Sequence, residues 1–146
     1  MGHEAIIYGY IDGANSYYAK TKELDRINAD VISQISDQDD WPWVTRRIFS
    51  LPGEYPEGTY MSRVIHFGLS IKDDPLDDKW IAQWIEKFEA VLRRMFWHYA
   101  TVRLESDFGD LCYEWNIPMT AIDGWHEDPP IPVTEWNRKD TGSRTT

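Results

Sequence analysis

The chain is short of cysteine, of positive charge and of long apolar runs, and each shortage removes a class of function. Its single cysteine, Cys112, can form no internal disulfide and cannot found a cysteine-rich zinc site. Lys and Arg number 15 against 25 Asp and Glu in 146 residues, for a formal charge of −10 and a pI near 4.7. Non-specific binding to nucleic acid or anionic lipid needs clustered Lys and Arg, so neither is expected as a partner. A basic partner is electrostatically easier to approach. No segment reaches the roughly 20 apolar residues of a membrane-spanning helix. The opening MGHEAIIYGYIDG lacks the basic stretch of a secretory leader. Ile6 stands where an N-myristoylation signal has Ser or Thr. A cytoplasmic location is the expectation.

Large rings are abundant instead: eight Trp, eight Tyr and five Phe, 14% of the chain. That supply of apolar surface offsets ordering entropy and argues for a compact fold rather than disorder. The length fits one domain, residues 1–146. Ala5 to Ile11 reads as a strand ended by Asp12-Gly13. From Asn15 to about Ile35 the period changes: Leu24, Ile27, Val31 and Ile35 recur at threes and fours, with Asn15 or Ser16 as N-cap. Val44 to Leu51 reads as a second strand, followed by a Pro- and Gly-rich turn in LPGEYPEG. Thr59 to Lys72 alternates clearly, with Met61, Ile65, Phe67, Leu69 and Ile71 on one face.

Asp73, Asp74, Asp77 and Asp78 crowd the entrance of a second helix, where negative charge suits the macrodipole. Trp80, Ile81, Trp84, Ile85, Phe88, Val91 and Leu92 form its apolar stripe. Two more strands follow, Trp97 to Glu105 and Leu111 to Ile117, joined by the turn Ser-Asp-Phe-Gly-Asp. If Ala100, Val102 and Leu104 face the helices, Trp97 and Tyr99 project from the opposite side, either as an exposed aromatic patch or covered by the C-terminal arm bearing Trp125 and Trp136. Residues 118–146 read as an irregular arm and a frayed polar tail. The order β-α-β-β-α-β-β predicts an α+β two-layer sandwich: a mainly antiparallel sheet of about five strands with two helices on one face. Its first six elements follow the ferredoxin-like order.

No catalytic constellation stands out. The four histidines are scattered, and His126-Glu127-Asp128 reads as a polar surface loop rather than a metal site. Asp107-Phe108-Gly109 spells a kinase magnesium tripeptide without any of its companion motifs, so it reads as a hairpin turn. Cys112 lacks an adjacent base and reads as strand filler. No metal or cofactor is expected, and no catalytic residue is assigned. The acidic pairs are better explained by solvation and helix-end electrostatics than by glycosidase chemistry.

The stretches GTYMSRVIHFGLSIK and WIAQWIEKFEAVLRRMFWHYATVRLE, in a small acidic α+β chain, resemble the immunity proteins of bacterial polymorphic-toxin and contact-dependent inhibition systems. The resemblance is one of type and assigns no residue position by position. It implies a non-enzymatic inhibitor that binds one cognate toxin domain, with a basic, nuclease-like cleft as the natural target of an acidic surface. Candidate contacts are Asp39, Asp40, Trp41 and Trp43 in one loop, Asp73, Asp74, Asp77 and Asp78 in another, and Glu54, Tyr55 and Glu57 in a third. Two other readings stay open. One is a small enzyme or ligand-binding domain with a pocket around Arg63, His66, Tyr99 and Arg103. The other is an acidic scaffold or homo-oligomer subunit using an aromatic face.

Overall fold

A computed structural model describes residues 3–14, 21–51, 64–74 and 76–144. Six strands form one antiparallel sheet: β1 (His3–Gly13), β2 (Phe49–Ser50), β3 (Val64–Asp73), β4 (Trp97–Ser106), β5 (Leu111–Asn116) and β6 (Asn137–Gly142). Their spatial order is β2-β3-β1-β4-β5-β6. Within it the first four strands pair as in a ferredoxin-like fold, with β1 central between β3 and β4. Helices α1 (Thr21–Ser33) and α2 (Lys79–Leu92) complete an α+β sandwich. Among the described residues, no helix is long and apolar enough to cross a membrane.

Strand parity decides what faces the helices. Ala5, Ile7 and Ile11 of β1, Ile65, Phe67 and Ile71 of β3, and Ala100, Val102 and Leu104 of β4 are buried together with the α2 stripe. Phe88 lies at the centre, 5.0 Å from Phe67, 5.2 Å from Trp115 and stacked on Trp84 at 5.7 Å. Gly9 is required there, because a Cβ would run into the Thr101 carbonyl and the Phe67 ring. Helix α1 is tied in by buried Asn28, which donates to the Phe96 carbonyl and accepts the Phe96 N–H, both at 2.7 Å. These bonds satisfy the backbone of the turn leaving α2.

Three sequence expectations change. The second strand shrinks to Phe49–Ser50, because Arg46–Ile48 forms a 3-10 turn. Trp97 is fully buried rather than projecting from the open face. The β1–β4 register shifts between Asp12 and Gly13, leaving His98 as an extra residue, so Trp97 turns inward while Tyr99 stays outward. There Trp97 donates to the Leu92 carbonyl at 2.9 Å and packs on Trp136. Trp115 is also buried, under α2, and donates to Glu89 at 2.8 Å.

The third change is in residues 118–146. Read as irregular, they contain β6, which pairs along all of β5, and a buried anchor, Trp125, between Phe96 and His98. Arg138 of β6 reaches Asp140 and Glu89 and lies over Tyr113, fastening the strand to α2. Beyond it Arg144, expected in a frayed tail, is locked in place. Its guanidinium makes a bidentate pair with Asp73, at 2.8 and 3.0 Å, beneath the Phe108 ring.

Candidate functional site

Two of the three acidic segments meet at one end of α2. Asp39 organises the first. Its carboxylate accepts the Val44 and Asp40 N–H groups and the Lys87 ammonium, each at 2.9 Å. Lys87 also donates to the Asp40 and Pro42 carbonyls at 2.8 Å. Burial pushes the Asp39 carboxyl upward, but the Val44 bond, Lys87 and the Asp40 bond outweigh it and hold the group below its ordinary range. Lys87 is therefore a spent cation, already satisfied by three acceptors.

This clamp presents Trp41 outward. Its ring is 51% exposed and sits 6.0 Å from the ring of Trp80, the second residue of α2. Trp80 joins the second acidic segment, since its indole N–H donates to Asp73 at 3.3 Å. Asp74 accepts the Leu76 N–H, and Asp77 accepts the Lys79 N–H, so the loop is bent by its own carboxylates. Leu76 projects from it, 95% exposed. Asp40 next to Trp41, Asp74, Asp77 and Asp78 flanking Leu76, and Glu86 on α2 are all exposed. Asp40, Asp78 and Glu86 form no ion pair among the described residues. An open groove of ≈ 520 Å³ runs between the loop and the helix, bounded by Asp40, Trp41, Pro42, Gln83, Glu86 and Lys87.

The sequence reading needs correcting at two positions of this surface. Asp73 is not an exposed acid: its side chain is fully buried and neutralised by Arg144. Trp43 is half-buried against the core, so the outward ring of that pair is Trp41 alone. Glu54, Tyr55, Glu57 and Arg63 lie outside the described residues, as do the N-cap candidates Asn15 and Ser16. Leu76, Glu86 and Gln83 were not singled out in the sequence. A lone apolar residue inside Asp-Asp-Pro-Leu-Asp-Asp was the available signal for the first; only the folded loop reveals the other two.

His66, Tyr99 and Arg103 share the sheet face turned away from the helices, but the register separates them. His66 pairs with Tyr10, Tyr99 with Asp12 and Arg103 with Tyr8, on three different rows. The ≈ 190 Å³ cavity at Arg103 is bounded by Cys112 and Thr141 and includes neither His66 nor Tyr99. Tyr99 donates to Glu114 at 2.9 Å. Its burial and that carboxylate push the phenol to about 12, so it is a fixed donor rather than a base near neutrality. Among the described residues, no group of three His, Cys, Asp or Glu side chains is arranged to hold a metal ion.

The surface at α2 thus combines exposed carboxylates, two exposed apolar side chains and a groove. No family model, curated protein or solved structure matches the chain.

Proposed function

We propose that the chain is an inhibitor of the immunity-protein type, which captures a toxin domain through the acidic, apolar-centred surface at the N-terminal end of α2. One observation carries this reading: the Trp41–Trp80 contact brings two separately encoded acidic loops into one surface, with Trp41 and Leu76 exposed in its midst. A toxin that cuts nucleic acid must present cations to phosphate. A rim of unpaired carboxylates accelerates encounter with such a cleft and discriminates against acidic partners. The apolar pair then slows dissociation, because contacts at the dry centre of an interface supply most of its energy.

The test is capture of the tagged chain's partner from its native lysate at low salt, with Asp40→Lys/Asp77→Lys/Asp78→Lys in parallel. A stoichiometric basic protein with toxic activity, neutralised by the wild type, is the expected partner. The triple variant should associate with it at least about tenfold more slowly at low salt, the gap closing as salt rises. Leu76→Asp should act on dissociation instead. Undiminished neutralisation by the triple variant would exclude this surface, and the absence of any toxin partner would exclude the function.

A further inference from the structure

The sheet face opposite the helices has a shape that fits itself. Along β1 it raises Ile6, Tyr8 and Tyr10, 44%, 36% and 37% exposed. The register sets a smaller β3 residue beside each: Ser70 beside Ile6, Gly68 beside Tyr8 and His66 beside Tyr10. β1 is thus a ridge and β3 a trough along the same rows. At the end of those rows Glu4 stands beside Lys72. A twofold axis lying between two such faces, parallel to β1 and β3, lays the ridge of each copy in the trough of the other. Tyr8 then covers Gly68 of the second copy, Ile6 covers Ser70, and Glu4 meets Lys72, each contact made twice as an isologous interface demands.

Charge favours the same occupant. The chain carries a formal −10, so two copies repel across most of their surfaces. Among the described residues of this face, Lys72, Arg103 and Lys139 balance all but one of four acids, leaving −1. The rings are also held in place: Tyr8 donates to Glu105 at 2.7 Å, Tyr99 to Glu114 at 2.9 Å, and Tyr10 packs 5.8 Å from Tyr99. Little side-chain entropy is left to lose on association. We propose that the protein forms a twofold dimer through its open sheet face. The proposal stands apart from the toxin-binding reading, because the acidic surface at α2 belongs to the helical layer.

Sedimentation equilibrium of the purified full chain tests it. From about 1 to 100 µM, the wild type should shift from 17.2 kDa toward twice that mass. Gly68→Arg should stay monomeric throughout and keep the wild-type circular dichroism and melting curve. A Cβ at Gly68 meets nothing closer than the Ile7 carbonyl at 3.7 Å, so the added side chain fills the trough and spares the monomer. Tyr8→Ser combined with Gly68→Tyr exchanges ridge and trough and should restore the dimer. If Gly68→Arg is not folded, Tyr10→Glu replaces it, with the same monomer expected. A wild type that remains at 17.2 kDa overturns the proposal, and so does a dimer that survives the folded blocking variant. The Asp40/Asp77/Asp78 reversal should leave the mass unchanged, so failure here is separable from failure of toxin binding.

Discussion

Replacing Arg144 by methionine removes a guanidinium and keeps most of the side chain's apolar stem. What it leaves behind is Asp73, fully buried at the end of β3, with the Trp80 indole N–H at 3.3 Å as its remaining partner among the described residues. An ion stripped of its partner in such a site costs about 3–5 kcal/mol, far more than the pair contributes when intact. Against a domain stability of about 5–15 kcal/mol, that is about a fifth or more of the total. At about 3–4 °C per kcal/mol for a chain of this size, the melting temperature should fall by about 10–20 °C. Urea unfolding followed by circular dichroism measures the loss directly. Asp73→Asn added to Arg144→Met should recover most of it, because the stranded charge, rather than the lost attraction, carries the penalty. A loss under about 1 kcal/mol, the range of an exposed ion pair, would refute the reasoning: the arm would then be releasing Asp73 to water at little cost.

Three further outcomes follow from the same geometry. Asn28→Ala strands both the Phe96 N–H and its carbonyl in the core, so urea unfolding should show a loss of about 2–5 kcal/mol. Asp39 has a folded pKa held below its ordinary value, so its contribution is present above that value and fades as pH falls through the folded one. Stability measured across the acid limb should therefore be flatter in Asp39→Asn than in the wild type, and a parallel limb would contradict the Lys87 clamp. Tyr99 has the opposite sign: its folded pKa of about 12 lies above the ordinary 10.0, so its contribution holds below pH 10 and is lost between there and 12. Tyr99→Phe should soften the alkaline unfolding limb, and difference spectra of its phenolate should titrate near the upper value.

Much of the architecture was legible because it is periodic. The α2 stripe from Trp80 to Leu92 repeats at threes and fours, and β3, β4 and β5 alternate, so the sandwich follows from local pattern alone. What was not legible depends on pairing. Trp97 and Tyr99 share a parity in the sequence, yet the extra residue His98 sends them to opposite faces. β6 reads Asn-Arg-Lys-Asp-Thr-Gly, six exposed polar residues with no alternation; its strand character comes from β5 and from the Arg138 contacts. Asp73 continues the buried parity of Ile65, Phe67 and Ile71, but its neutralising partner is 71 residues away. The acidic loops were visible as composition. Their convergence was not, since it rests on the Trp41–Trp80 contact between segments that nothing in the sequence connects.

The clamp that turns Trp41 outward has an optical consequence. Of the eight tryptophans, five are buried and Trp43 and Trp136 are partly buried against the core, the latter between Arg93 and Trp97; Trp41 alone stands half in solvent. A neutral collisional quencher such as acrylamide therefore reaches Trp41 more readily than the other indoles. The quenchable fraction of the protein's own emission becomes a label-free readout of the acidic surface, falling when a partner covers it and unmoved when the opposite face of the sheet is occupied.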